Sequence, residues 1–213
     1  GALLGVDGLN DEQRKNGVAT FSGGNHALAV SWASRQCGVS AKVIMPKTAD
    51  PIRISGCEEM GAEVILTNDI ASASEILQEI AKVESRTILH PFNDLNMAYG
   101  AASCGAEFIE DMPEANVFII PVGGGGLIAG MAAAIKHFNP AIKVIGVEPQ
   151  GANSLRRSFL SGRPESLDKV QTIADSLGAP SALAESFQLA RANVDQVIEI
   201  EDKVMSQTML QMR

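Results

Sequence analysis

Clusters of basic residues and long hydrophobic segments are both absent from this sequence. The formal net charge is -8 and the isoelectric point is about 4.9. Lysine and arginine form no cluster, which argues against nucleic acids and anionic membranes as partners. The longest apolar runs, such as Val117 to Val122, are far shorter than the ~20 residues of a membrane-spanning helix. We therefore expect neither a nucleic acid nor a membrane as a partner.

Cysteine is also scarce. The three cysteines, Cys37, Cys57 and Cys104, are odd in number and show no CxxC spacing. This pattern favours reduced thiols over a disulfide framework. We therefore expect a cytoplasmic protein in which the cysteines act as small apolar residues.

Apolar residues, in contrast, make up 46% of the sequence and form short runs that alternate with helical segments. Strands covered on both faces are continuously apolar, as 117–122 is here. The alternation predicts an α/β protein with parallel-rich sheets flanked by helices. The first and last residues resemble helix interiors, so we expect a chain truncated at both ends. Strands are expected at 17–21, 41–45, 62–67, 87–90, 116–122, 143–148 and 194–200, and helices at 25–37, 51–60, 71–84, 96–110 and 127–138.

A run of four glycines, Gly123 to Gly126, lies between a predicted strand and a predicted helix. Because glycine has no Cβ, consecutive N–H groups of such a run can point at one anion. The helix that begins near Leu127 adds the positive end of its dipole. A phosphate dianion is the expected ligand, and a flexible strand–helix turn is the plainer alternative.

The same segment also fits a different class of protein. The spacing Gly124-x-Gly126-x-x-Ala129 matches the dinucleotide-binding fingerprint. Glu148 ends the next strand, at a suitable distance for a ribose hydroxyl. On this segment alone a nicotinamide-dependent enzyme is an alternative, although the fingerprint by itself is weak.

A second turn, Phe21 to His26, joins another predicted strand to a helix. Ser22 can cap that helix, and the N–H groups behind it are a good site for a carboxylate. Asn25 offers both a donor and an acceptor. An ordinary N-cap beside a surface His26 is the plainer alternative. A site for an amino-acid carboxylate and a cofactor phosphate needs such a turn, whereas a dehydrogenase does not.

Together these segments resemble the β-family of pyridoxal-phosphate (PLP) enzymes, known structurally as fold type II. Within it, the sequence is most similar to serine/threonine dehydratases and serine racemases. The resemblance extends over essentially the whole chain and outweighs the nicotinamide alternative. The motifs, in the family's order, are SGGNHALA at 22–29, VIMP at 43–46, GAEV at 61–64, HPFND at 90–94, PVGGGGLIAG at 121–130, KVIGVEP at 143–149 and TIADSLG at 172–178.

The resemblance implies a role for each turn. Asn25 is expected to face the phenolic oxygen of PLP. The residues expected to hold the PLP phosphate are Gly123, Gly124, Gly125, Gly126 and Leu127. The residues expected to bind the substrate carboxylate are Ser22, Gly23, Gly24, Asn25 and His26.

The resemblance also places the family's Schiff-base lysine. Gly1-Ala2 aligns with the end of the lysine motif, so the lysine is expected just before Gly1. None of the eight lysines in the sequence lies in a matching context. No catalytic residue is therefore expected within this chain, and the chain alone is expected to be inactive.

Two departures from the family pattern bear on function. Gly23 stands where racemases have a serine that acts as acid and base, which disfavours racemization and permits elimination. Metal-dependent members bind a cation through a glutamate, a backbone carbonyl and an aspartate. Here Glu148 and Ala152 match, but Ser154 replaces the aspartate. A hard cation prefers a carboxylate, which argues against this divalent-cation site.

The resemblance implies two lobes with PLP in the cleft between them. The smaller lobe is expected at 17–94 and contains the Ser22 turn. The larger, incomplete PLP-binding lobe is expected at 1–16 and 95–213 and contains the glycine run.

The implied activity is that of a PLP-dependent ammonia-lyase, which converts L-threonine, L-serine or a similar β-hydroxy amino acid to a 2-oxo acid and ammonia. The expected partner is a small amino-acid substrate, and the intact protein is expected to be a homo-oligomer. Other β-family activities stay open, namely a serine racemase, a hydroxyaspartate dehydratase or a β-replacing synthase. A non-catalytic remnant is the alternative from a different class.

Overall fold

The computed structural model describes residues 1–68 and 70–212. The chain divides into two compact units, Gly1–Pro91 and Phe92–Arg213. Each unit contains a parallel sheet with helices packed against it. The α/β class with parallel sheets flanked by helices, which the sequence predicts, is therefore confirmed.

The first unit is built on a four-stranded parallel sheet of order β3-β2-β1-β4. Its strands are β1 (Val18–Phe21), β2 (Ala41–Pro46), β3 (Glu63–Thr67) and β4 (Thr87–Ile88). Its helices are α1 (Ala2–Asp7), α2 (Asp11–Asn16), α3 (Asn25–Cys37), α4 (Pro51–Glu59) and α5 (Ile70–Glu84).

Strand β2 shows why the strand patterns of this unit are continuously apolar. Val43 and Met45 are fully buried in a cluster with Val30 of α3. Ile44, on the opposite face, is fully buried in a second cluster with Leu77 of α5. Because helices cover both faces of the sheet, successive residues of β2 are all apolar.

Helix α1 packs against α3 within the first unit. Ala2 and Val6 are buried in the same apolar cluster as Val18 and Val30. The sequence resemblance instead assigns 1–16 to the larger lobe. The lobe boundaries of the whole protein, 17–94 for the smaller lobe, stay a prediction.

The second unit contains a three-stranded parallel sheet of order β5-β6-β7. Its strands are β5 (Val117–Pro121), β6 (Lys143–Pro149) and β7 (Gln196–Ile200). Its helices are α6 (Leu95–Asp111), α7 (Gly126–Phe138), α8 (Ser154–Ser161), α9 (Ala184–Asn193) and α10 (Asp202–Gln211). No helix in the described part of the chain is both long and apolar enough to cross a membrane.

Helices α6 and α7 approach each other closely because small residues line their contact. A Cβ on Gly130 would overlap the carbonyl oxygen of Ala98 and lie 2.7 Å from the Cβ of Ala101. A Cβ on Gly105 would lie 2.7 Å from the carbonyl oxygen of Met131. These distances are too short for any side chain, so the packing of α7 requires glycine at both positions.

Candidate cofactor-binding site

The glycine run forms the loop between β5 and α7 in the second unit. The N–H of Val122 still donates to Val147 of β6 at 2.9 Å, and the chain then leaves the sheet. Gly125 is the N-cap of α7 with φ of +87°, a conformation that favours glycine. The loop therefore ends at a helix N-terminus, as the sequence predicts.

The N–H groups of this loop are not used by the protein itself. Among the described residues, no acceptor bonds the backbone N–H groups of 123–127. The first intrahelical bond here runs from Ala129 N–H to the carbonyl oxygen of Gly125, at 2.9 Å. Five consecutive donors at the positive end of α7 form a concentrated site for an anion.

Residues distant in sequence lie so close to the loop that they leave little or no room for side chains. A Cβ on Gly124 would overlap the ring of Phe92, and one on Gly123 would lie 3.2 Å from Leu177 Cα. The HPFND and TIADSLG motifs contain Phe92 and Leu177, yet their sequence gives no sign of this contact. The loop is thus held in a fixed shape by its surroundings.

Ser186 of α9 is a further residue that the sequence pattern does not reveal. Its side chain is buried, and its Oγ lies 3.1 Å from the Gly124 carbonyl oxygen and 3.2 Å from that of Leu183. The Gly124–Gly125 peptide is trans, so its C=O and N–H point in opposite directions. By holding the carbonyl of Gly124, Ser186 orients the N–H of Gly125 away from α9.

The Ser22 turn lies in the first unit, between β1 and α3. Ser22 does not cap α3, contrary to the sequence prediction: its Oγ accepts from Gly24 N–H at 3.2 Å, and Gly24 is the N-cap. The N–H of Ser22 still bonds Ile44 of β2, so the helix begins only after Gly24. Ser22 therefore lies too early in the chain to be the N-cap. Among the described residues, the backbone N–H groups of Gly23 and Asn25 have no hydrogen-bond acceptor. The side chain of Asn25 has no hydrogen-bond partner in the same part of the chain.

Neighbouring elements fix this turn on both sides. Arg53 of α4 donates to the carbonyl oxygen of Gly23 at 3.3 Å. The Nε2 of His26 lies 3.0 Å from the carbonyl oxygen of Leu89. His26 thus joins α3 to the chain beyond β4, which gives it a structural contact besides any contact with a ligand.

Glu148, at the end of β6, is fully buried. Its two carboxylate oxygens accept from the backbone N–H groups of Leu155, at 2.9 Å, and Arg156, at 2.7 Å. Burial raises the pKa of Glu148 to about 7, while the bonds from Arg156 and Leu155 act to lower it. The neighbouring Ser154 Oγ is buried and has no hydrogen-bond partner in the part of the chain that the structure describes.

The whole chain, residues 1–213, matches the model of the family described as "Pyridoxal-phosphate dependent enzyme". The chain belongs to this family. The resemblance that the motifs indicate is thereby confirmed. Membership of this family explains the glycine run, so a nicotinamide cofactor is not needed to explain it. The nicotinamide alternative requires Glu148 to bind a ribose, whereas both its oxygens are bonded to backbone N–H groups.

Curated relatives of the chain include a dehydratase and an ammonia-lyase. The chain is 42% identical over 202 residues to a phenylserine dehydratase of Ralstonia pickettii, covering 95% of this chain and 62% of the relative. It is 35% identical over 211 residues to an L-threonine ammonia-lyase of Thermotoga maritima, covering 99% of this chain and 53% of the relative. The chain thus spans between half and two thirds of the length of these relatives.

Solved structures give the same fold. Maize serine racemase superimposes with a TM-score of 0.92 at 31% identity, covering 98% of this chain and 64% of the racemase. The processed threonine deaminase isoform 2 of Solanum lycopersicum gives a TM-score of 0.89 at 31% identity, covering 94% of this chain and 59% of the deaminase. The predicted fold type II class is therefore confirmed.

The glycine loop has the chemistry to hold a phosphate group such as that of PLP. Its consecutive N–H donors have no protein acceptor among the described residues, and Cβ atoms at Gly123 and Gly124 would crowd or overlap the residues that shape the loop. Because an anion at a helix N-terminus is favoured by both hydrogen bonds and the dipole, a phosphate group suits this loop.

The three residues that the resemblance aligns with a cation site do not fit a cation. Both oxygens of Glu148 are bonded to N–H groups, and Ser154 supplies a hydroxyl where a carboxylate is required. Among the described residues, no group of three or more His, Cys, Asp or Glu side chains could hold a metal ion. With Ala152 offering only a carbonyl, the donor set lacks the negative charge that a hard cation prefers.

Proposed function

We propose that the protein carrying this chain is a PLP-dependent ammonia-lyase of the threonine/serine dehydratase type. It converts a β-hydroxy amino acid to a 2-oxo acid and ammonia. The observation that supports this most directly is the glycine loop of 123–126, whose N–H groups lack protein acceptors among the described residues. The dehydratase and ammonia-lyase names of the relatives support the reaction type.

We assign the phosphate of PLP to the N–H groups of the glycine loop and of Leu127. When bound, PLP withdraws electrons from Cα of an amino-acid substrate, which makes loss of the Cα proton and of the β-hydroxyl feasible. Charge-assisted hydrogen bonds from a preorganised loop fix the position of the phosphate and hence of the ring.

In the first unit, we assign the substrate carboxylate to the Ser22 turn. The N–H groups of Gly23 and Asn25, which have no acceptor among the described residues, suit a carboxylate at the start of α3. The Asn25 side chain is exposed, and we assign it to the phenolic oxygen of PLP. Arg53 and His26 keep the turn in place through Gly23 and Leu89.

The activity is tested with the full-length protein and three substrates, L-threonine, L-serine and L-phenylserine. We expect equal amounts of 2-oxo acid and ammonia, dependent on added PLP, with at least one of the substrates. A protein that binds PLP but neither releases these products nor converts any of the substrates to another amino acid is a non-catalytic remnant. A substituted amino acid, formed only when a second nucleophile is added, would identify a β-replacing synthase.

Racemization is the second candidate, because a serine racemase shares this fold at a TM-score of 0.92. It requires a group that returns a proton to the opposite face of Cα, and Gly23 has no such group. We therefore expect pyruvate to form at least about tenfold faster than D-serine from L-serine. Chiral chromatography with a 2-oxo acid assay measures both products, and faster formation of D-serine would exclude the dehydratase assignment.

A Gly23→Ser variant is the matched test of this argument. A Cβ on Gly23 would lie 3.1 Å from Pro46 Cγ, so the serine fits after a small shift of the Pro46 ring. We expect the ratio of D-serine to pyruvate to rise in this variant. A Gly23→Ala variant controls for the added bulk and should leave the ratio unchanged.

A Ser186→Ala variant tests the support of the glycine loop. Removal of the hydroxyl leaves the Gly124 carbonyl without its side-chain donor and frees the following peptide to rotate. We expect PLP to bind about tenfold more weakly, which corresponds to the ~1–1.5 kcal/mol of one buried hydrogen bond. Fluorescence titration with PLP measures the change.

Ser158→Ala is the control for Ser186→Ala, because it removes a buried hydroxyl that donates to the carbonyl oxygen of Ser154. An equal loss of PLP affinity in both variants would contradict a specific role for Ser186.

We also propose a cytoplasmic location and a homo-oligomeric state for the intact protein. The three cysteines are free thiols, which supports a reducing compartment. The oligomeric state follows from the family resemblance alone, and light scattering of the full-length protein measures it.

A further inference from the structure

Glu148 ties the end of β6 to the start of α8. Its oxygens accept from the N–H groups of Leu155 and Arg156 at 2.9 and 2.7 Å, which belong to the first turn of α8 (Ser154–Ser161). These N–H groups have no partner within their own helix. The carboxyl group of Glu148 satisfies two of them, and the bonds are charge-assisted when it is ionised.

Helix α8 in turn forms part of the support of the glycine loop. Leu155 is 1% exposed and belongs to the same apolar cluster as Val122 and Ile128, on either side of the loop. Its Cδ1 lies 3.9 Å from the position that a Cβ on Gly125 would occupy, so Leu155 borders the space beside Gly125. A shift of the first turn of α8 would therefore move the side chain that borders the loop at Gly125.

A cation at Glu148 would have to share the carboxylate with these donors. Two of its roughly four lone-pair sites already face the N–H groups, so only the remaining ones are left for a cation. The second carboxylate that a cation would require is replaced by the buried hydroxyl of Ser154. The hydrogen bonds of Glu148 and the serine at position 154 thus both argue against a cation at this site.

We propose that Glu148 is a positioning residue that fixes α8, and through Leu155 the glycine loop, by direct hydrogen bonds and without a divalent cation. The part that concerns PLP rests on the proposed function. The part that concerns the cation does not, since it follows from the contacts of Glu148 and the hydroxyl of Ser154.

The cation is tested by thermal unfolding of the full-length protein without PLP, in EDTA and then with Mg²⁺ or Ca²⁺. A cation present at 100 times its Kd would raise Tm by roughly 5–10 °C. We expect a change of less than about 1 °C, and a rise of several degrees would overturn the proposal.

Ser154→Asp supplies the carboxylate that the chain lacks, and this variant is expected to acquire a cation-dependent rise in Tm. A variant that stays unresponsive would contradict the role assigned to Ser154. The comparison has a readout that does not depend on PLP, so it remains valid if the proposed function is wrong.

The positioning role is tested with Glu148→Gln, which keeps the shape but turns an NH₂ group towards one of the two N–H donors. We expect PLP to bind about tenfold more weakly than to the wild type, besides a lower Tm. Asp195→Asn is the control, because Asp195 also accepts from a backbone N–H, that of Val144 at 2.7 Å, but at the opposite end of β6, and its PLP affinity should stay within about twofold.

Two outcomes separate the inference from the proposed function. A wild-type protein that does not bind PLP refutes the proposed function, whereas a Glu148→Gln variant with lower Tm and unchanged PLP affinity refutes only the positioning role. If Glu148→Gln fails to fold, Leu155→Val serves instead, since it shortens the side chain that borders the loop at Gly125 and leaves Glu148 intact. Weaker PLP binding by this variant supports the proposal, and unchanged binding overturns it.

Discussion

Replacing Gly125 with Asp is expected to weaken PLP binding by about a hundredfold or more. A Cβ at this position would lie 3.5 Å from the Cβ of Ser186 and 3.9 Å from the Cδ1 of Leu155, so the new side chain would disturb the residues that support the loop. Its negative charge would also repel the phosphate expected at the N–H groups of 123–127. Loss of several charge-assisted hydrogen bonds to the phosphate costs on the order of 3 kcal/mol or more of binding free energy, which corresponds to about a hundredfold rise in Kd. Fluorescence titration with PLP measures it.

Gly125→Asn is the matched control, because asparagine has nearly the same size and no charge. Gly125 has φ of +87°, and both Asn and Asp enter this region more readily than other side chains. The backbone strain is therefore similar in the two variants, and their difference reports the charge. Thermal unfolding should show similar Tm values. If both variants bind PLP as tightly as the wild type, the loop does not hold the phosphate.

Replacing Gly130 with Val is expected to lower Tm by about 6–12 °C. A Cβ at this position would overlap the carbonyl oxygen of Ala98, which belongs to the backbone of α6 and cannot rotate away. Helices α6 and α7 must therefore separate, and overpacking of a core costs about 3 kcal/mol when the backbone has to move. At roughly 2–4 °C per kcal/mol for a chain of this size, the stated shift in Tm follows.

Ala133→Val on the same helix is the control for Gly130→Val. Ala133 is half-buried, so the β-branched side chain costs only the roughly 0.5 kcal/mol of lower helix propensity. Thermal unfolding followed by circular dichroism compares the two variants. Equal Tm values would show that α6 and α7 separate without cost, which would contradict the close packing at Gly130.

The strands and helices could be predicted because their patterns are local. Strand β2 was expected at 41–45 and is found at Ala41–Pro46, and α3 was expected and found at 25–37. Gly38 has φ of +65° after α3, which glycine adopts readily. The ends of the elements agree less well: the sequence predicts β4 at 87–90, whereas the strand spans only Thr87–Ile88.

The capping of α3 shows where local reasoning failed. Ser22 has the side chain of an N-cap, but the helix begins beyond it, after Gly24. The start of α3 depends on where β1 leaves the sheet, and this is set by pairing with β2: Ser22 N–H still donates to Ile44 at 3.0 Å. Contacts between strands therefore overruled the preference of a single residue.

The α/β class, the glycine loop at the start of α7 and the family can be inferred from the amino-acid sequence, because each depends on residues that are adjacent along the chain. The residues that shape the loop are known only from the folded chain. Phe92 and Ser186 lie more than 30 and 60 residues from Gly124, and folding alone brings them to it. The tertiary structure also decided the role of Glu148, since a carboxylate at the end of a strand suits a ribose, a cation or a helix N-terminus equally well. The N–H groups of Leu155 and Arg156 bond its oxygens, because a buried charge has to be satisfied by the donors nearest to it.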